Sequence, residues 1–107
     1  MYQKLLALDD EPLLPEEFTV SPAYPNPFNP TTTIRFEVPI PSQVNLKIYN
    51  LMGQEVTTLT RDWFSVGSHS VTWNGKDLQG VPVSAGVYIY RLQAQGFQET
   101  RKMVLLK

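Results

Sequence analysis

The side chains able to do acid–base or nucleophilic chemistry are few and scattered. Among 107 residues there is one histidine, His69, and no cysteine. That excludes disulfide frameworks, thiolate metal sites and thiol nucleophiles. His69 shares one strand face with Val71 and Trp73, without an acidic residue spaced to orient it, so it reads as a packed or edge histidine. Asp62, Asp77 and the scattered glutamates place no two carboxylates together, as a general acid–base pair requires. Asp9, Asp10, Glu11, Glu16 and Glu17 form an acidic stretch that lacks the spacing and glycine of a calcium loop. The expectation is no enzyme, no metal and no cofactor. Trp63-Phe64 is the remaining chemical feature. Neighbouring strand residues point opposite ways, so one ring is expected to be exposed in a loop over residues 61–67. Near Tyr49 or Tyr24 it could stack on sugar rings, which makes carbohydrate binding a second reading beside simple capping of the fold.

Composition narrows the partners. Nine basic against ten acidic residues give a formal charge of −1. Nucleic-acid binding needs a basic excess that is missing here. Apolar residues make up 42% and charged residues 18% of the chain, enough for one folded core. No stretch approaches the ~18 apolar residues of a membrane span, and residues 1–11 are too short in apolar run for an export signal. If the protein works outside the cell, its export signal lies elsewhere or the chain is part of something longer.

The elements that must position any site fall into a lead-in and a domain. Of nine prolines, four punctuate Ser21-Pro22-Ala23-Tyr24-Pro25-Asn26-Pro27-Phe28-Asn29-Pro30. Each fixes its own φ and pushes its predecessor toward extended geometry. The spacing predicts a stiff extended strap without ladder hydrogen bonds of its own, anchored by Tyr24 and Phe28. Asn26 is placed to cap a turn.

From Thr31 onward the period is two. Ile34, Phe36 and Val38 alternate with polar residues, as do Val44, Leu46 and Ile48. Asn50-Leu51-Met52-Gly53 is a turn. Residues 56–59 read as a third short strand whose broken parity signals a bulge or crossing. Asn74-Gly75 and Gln79-Gly80 mark further turns, and Gly86 fits a positive φ before a strand. Residues 87–94 carry Tyr88, Tyr90 and Leu92 on one face, Tyr88 with its hydroxyl toward a backbone partner. Gln95-Gly96 is a two-residue hairpin turn into a last strand over residues 97–106. Trp73 is the expected central aromatic. About seven short strands at this spacing predict an all-β fold: an immunoglobulin or fibronectin type III-like antiparallel β-sandwich, with a small barrel as the competing architecture. Residues 1–17 form the lead-in and 18–107 the domain.

Three stretches carry a family resemblance. Tyr24-Pro25-Asn26-Pro27-Phe28-Asn29-Pro30-Thr31-Thr32-Thr33-Ile34, Ile48-Tyr49-Asn50-Leu51-Met52-Gly53-Gln54-Glu55-Val56, and Ser84-Ala85-Gly86-Val87-Tyr88 running on to Lys107 together resemble the type A C-terminal sorting domain of the type IX secretion system. Val71-Thr72-Trp73-Asn74-Gly75-Lys76-Asp77 and Gly86-Val87-Tyr88 also resemble the immunoglobulin-like domain of flagellar hook-capping proteins. The first resemblance implies address and anchorage without catalysis, on the surface of a Gram-negative bacterium. Its implied partners are an upstream cargo domain, an outer-membrane translocon with its shuttle, and a sortase-like protease that cuts ahead of Phe18 and links cargo to lipopolysaccharide. By that resemblance the recognised positions are Pro25, Asn26, Pro27, Gly86, Tyr88 and the chain end, Lys102, Val104, Leu106 and Lys107.

The residues of the chain end supply a physical rationale. Met103, Val104, Leu105 and Leu106 are apolar on both faces, one for the core and one left for a partner. As an edge strand this segment is a template for strand addition, with Lys102 and Lys107 flanking it in positive charge. If central in its sheet, it is covered instead. A third reading is structural: a subunit or spacer in a surface filament, paired through the lead-in or the last strand.

Overall fold

The computed structural model describes residues 14–106. Seven strands run in chain order: β1 (Thr19–Val20), β2 (Thr32–Val38), β3 (Ser42–Tyr49), β4 (Glu55–Phe64), β5 (Gly67–Trp73), β6 (Gly86–Ala94) and β7 (Phe97–Leu105). They form two antiparallel sheets, one ordered β1-β2-β5 and the other β4-β3-β6-β7. The fold is the antiparallel β-sandwich that the period-two pattern predicts.

Alternation decides what is inside. In β2 and β3 every second residue is buried, so Ile34, Phe36 and Val38 face Val44, Leu46 and Ile48 across the sandwich. Tyr88, Tyr90 and Leu92 of β6, Met103 and Leu105 of β7 and Trp73 of β5 complete the core. The β6–β7 hairpin turns through Gln95 (φ 46°) and Gly96 (φ 81°), with Ala94 opposite Phe97. Two consecutive positive-φ residues match the right-handed twist of the flanking strands.

Three expectations need correction. The predicted short third strand is a ten-residue strand, and Trp63 and Phe64 lie in it rather than in a loop. Its broken parity is nevertheless real: the β3–β4 register shifts between Leu46 and Lys47 and again between Ile48 and Tyr49. The proline-rich strap does make ladder hydrogen bonds. Tyr24 bridges Thr33, beyond the β1–β2 pair, and Phe28 forms a parallel bridge with Leu105. Proline removes donors only at its own positions, so Ser21, Tyr24 and Phe28 between the prolines still donate from their backbone. Finally, Tyr24 is no anchor. Its ring is 81% exposed, whereas Phe28 is 1% exposed and packs on Trp73 at 5.7 Å between centroids.

Candidate functional site

β7 is an edge strand of the four-stranded sheet. In its ladder with β6, alternate residues direct their backbone groups away from the partner strand. Val104 is one of these, and its outward groups are taken. Its N–H donates to Asn26 Oδ1 at 2.9 Å, and its carbonyl accepts from the Phe28 N–H at 2.9 Å. The Leu106 N–H then donates to the Phe28 carbonyl at 2.8 Å. The proline-rich strap therefore closes the final stretch of the open edge as a short parallel strand. Asn26 binds the last strand across the fold and does not cap a turn. The strand edge expected to be open to a partner is occupied by the strap at Val104 and Leu106, while the Leu106 side chain remains 50% exposed.

The strap is held from beneath as well. Thr32 Oγ1 donates to the Pro25 carbonyl at 2.7 Å. Burying the Phe28 ring contributes about 2–3 kcal/mol by area. Gly75, at φ 76°, lies so close to the strap that a Cβ there would meet the Pro30 carbonyl oxygen at 3.1 Å. Trp73 Nε1 donates to the Lys76 carbonyl at 2.9 Å, which ties the loop after β5 to the core aromatic. Tyr88 packs edge-on against Trp73 at 5.3 Å and donates to the Ser84 carbonyl at 2.7 Å. Gly86 has φ 151°, as the sequence predicts for the approach to a strand. Tyr88 thus supports this end of the sandwich from within, whereas Gly86 borders open space and serves the backbone turn into β6. Pro25, Asn26, Pro27 and Lys102 lie at its surface. Lys107 lies outside the described residues.

Two rigid turns at the same end present apolar side chains that the sequence reading did not single out. Asn50 Oδ1 accepts from both the Met52 and Gln54 amides, fixing the β3–β4 turn with Leu51 and Met52 exposed. One Asp77 oxygen accepts from the Gln79 and Val81 amides, and the Leu78 N–H donates to the Val56 carbonyl. That seats the second turn beside the first, with Leu78 and Val81 exposed. The signal in the sequence is an Asx-type turn carrying apolar residues where polar ones usually sit.

Electrostatics at the strap are simple. Tyr90 donates to the Ser21 carbonyl at 2.8 Å, and Arg101 Nε donates to the Val20 carbonyl at 2.9 Å. Burial pushes the Tyr90 hydroxyl above its ordinary value, against smaller opposing effects of the Ala23 backbone and the Arg101 charge. Among the described residues no three His, Asp or Glu side chains approach closely enough to hold a metal ion.

The aromatic pair divides as strand geometry demands. Trp63 is 64% exposed. Phe64 turns inward against Phe36 and His69, at 5.1 Å and 4.9 Å, so its ring is not the exposed contact of the pair. His69 is packed at that edge, with Nε2 2.8 Å from the Ser65 carbonyl; that nitrogen carries the proton. Tyr49 lies several rows from Trp63 along the outer face, its ring under the Arg91 guanidinium at 4.8 Å.

Seven antiparallel strands in two facing sheets define an immunoglobulin-like β-sandwich. Residues 24–96 match the FlgD Ig-like domain, and the chain belongs to this family. It is the second of the two resemblances carried by the sequence. Among solved structures, the chain is similar to FlgD from P. aeruginosa at 25% identity and a TM-score of 0.57, covering 69% of this chain and 59% of that one. It is also similar in fold to dimeric latent PorU from Porphyromonas gingivalis, at 21% identity and a TM-score of 0.69 over 84% of this chain. PorZ, a surface component of the type IX secretion system of the same organism, aligns over 86% at 22% identity and a TM-score of 0.58. The chain spans only 9% of PorU and 12% of PorZ. No curated protein matches it.

Proposed function

We propose that this domain is a non-catalytic C-terminal sorting module that directs an attached cargo protein across the outer membrane of a Gram-negative bacterium to its surface. The observation that carries the proposal is the junction of Asn26 and Phe28 with Val104 and Leu106. The Pro-Asn-Pro strap and the basic, apolar last strand are the two most specific parts of the sequence resemblance, and Asn26 and Phe28 of the one meet Val104 and Leu106 of the other. A signal assembled from segments 78 residues apart is displayed only by the folded domain. A translocon and shuttle reading this junction would therefore accept folded cargo tails and ignore nascent ones. Leu51, Met52, Leu78 and Val81 offer apolar contact area at the same end. A sortase-like protease then acts ahead of Phe18 and transfers the cargo to lipopolysaccharide. The segments of PorU and PorZ that share this fold support this reading by analogy of fold alone. The test is transfer of the whole chain to the C-terminus of a periplasmic reporter in a host with a type IX system. Surface display of the reporter supports the proposal, and retention in the periplasm removes it.

The family match favours one second reading, a structural Ig-like module in a surface or filament assembly. The exposed apolar end would then contact neighbouring subunits. Concentration-dependent oligomers in light scattering support this reading, and a monomer at high concentration opposes it.

A further inference from the structure

The outer face of the four-stranded sheet carries an unusual row of amides. Register places Arg61 of β4, Asn45 of β3, Gln93 of β6 and Gln98 of β7 side by side across all four strands. Three inter-strand steps of 4.7–4.9 Å make this row about 14 Å long. One step toward the hairpin end, Gln43 pairs across strands with exposed Trp63. Gln43, Asn45, Gln93 and Gln98 line a shallow depression of about 410 Å³, together with residues of the β6–β7 turn, and no ionisable residue lines it.

The hydrogen-bonding capacity of this depression is only partly used. Gln93 Nε2 donates to Gln98 Oε1 at 2.9 Å. That pair leaves the Gln93 carbonyl and the Gln98 amide group for a ligand, since an amide both donates and accepts. Asn45 Oδ1 is buried and has no protein partner.

We propose that this depression and Trp63 bind a neutral polysaccharide. Sugar hydroxyls both donate and accept, which matches an amide row better than any charged ligand does. The exposed indole supplies the flat apolar surface for a pyranose face. An anionic polymer would need several cations along its length, and the row holds a single one, Arg61 at its β4 end, outside the depression. A protein partner would need more apolar area at the centre of the contact, because the buried core of an interface is more apolar than its rim. The site lies at the hairpin end, away from the strap junction, so its role is separate from sorting and its failure leaves that proposal standing.

The test is affinity gel electrophoresis of the whole chain in galactomannan, xyloglucan and mixed-linkage glucan, with alginate as the anionic control. The expected result is retardation in at least one neutral polymer, about tenfold weaker in Trp63→Ala and in Asn45→Ala, and none in alginate. Fluorescence of buried Trp73 in Trp63→Ala, and circular dichroism of both variants, report that the fold is intact. Migration unaffected by all three neutral polymers overturns the proposal. So does retardation that both variants retain, or retardation in alginate alone.

Discussion

Asn26 and Val104 stand 78 residues apart in sequence and are joined by a 2.9 Å hydrogen bond from the Val104 amide to the Asn26 side chain. An open sheet edge invites pairing with other chains. Here a side-chain amide and the Phe28 backbone satisfy its last outward groups, while Gln98, Thr100 and Lys102 further along β7 lie at the same outward positions without the strap beside them. The strap thus divides the edge into a closed end and an open stretch.

Asn26→Ala removes the acceptor and leaves the Phe28 bridge in place. The expected cost is about 1 kcal/mol of stability, with faster hydrogen exchange at the Val104 amide and little change at Leu92 in the core. Amide exchange followed by NMR checks this. Unchanged protection at Val104 would show that the side chain does not hold the strand.

The two strap aromatics differ sharply in burial. Phe28→Ala is expected to cost about 3–5 kcal/mol, in the range of large core truncations. Tyr24→Ala stays within about 0.5 kcal/mol, as an exposed substitution. Urea unfolding of both variants reads the difference directly, and equal losses would restore Tyr24 as an anchor.

Gly53 and Gly75 both have positive φ, at 84° and 76°. Alanine at Gly53 meets open space, so its cost is the backbone strain alone, about 1–2 kcal/mol. Alanine at Gly75 adds a clash with the Pro30 carbonyl oxygen, for a further ~1 kcal/mol or more. The larger fall in thermal midpoint should therefore belong to Gly75→Ala.

Burial raises the Tyr90 pKa in the folded state above its ordinary value of 10.0. The unfolded chain therefore releases this proton first as pH rises. Stability from this group is full below about pH 10 and falls as pH climbs from there toward the raised folded value. Denaturant titrations between pH 9 and 11, taken as round values about that ordinary pKa, should show a decline that Tyr90→Phe flattens, although that variant starts lower through loss of its bond to Ser21.

The sandwich was legible because both layers obey a strict period of two: Ile34, Phe36 and Val38 in one sheet, Val44, Leu46 and Ile48 in the other. Turn chemistry located the Gln95-Gly96 hairpin, and parity located Trp73. What stayed hidden is tertiary. Nothing local tells Asn26 to bind Val104, because the partner lies at the far end of the chain. The length of β4 was missed because its bulge near Leu59 interrupts the alternation that marks a strand. The amide row escaped notice for a related reason: Asn45, Gln93 and Gln98 look like ordinary outward residues until register aligns them.

The central claim is that the strap–β7 junction is a sorting signal. The most direct measurement is surface display of a reporter fused ahead of the whole chain, in a type IX host, comparing the unaltered tail with Asn26→Ala, Leu106→Asp and Trp63→Ala. These point changes are preferable to trimming residues 102–107, which would remove core Met103 and Leu105. The account predicts strong display for the unaltered tail and Trp63→Ala, and loss for Asn26→Ala and Leu106→Asp in fusions that remain folded. Equal display from all four fusions would contradict it.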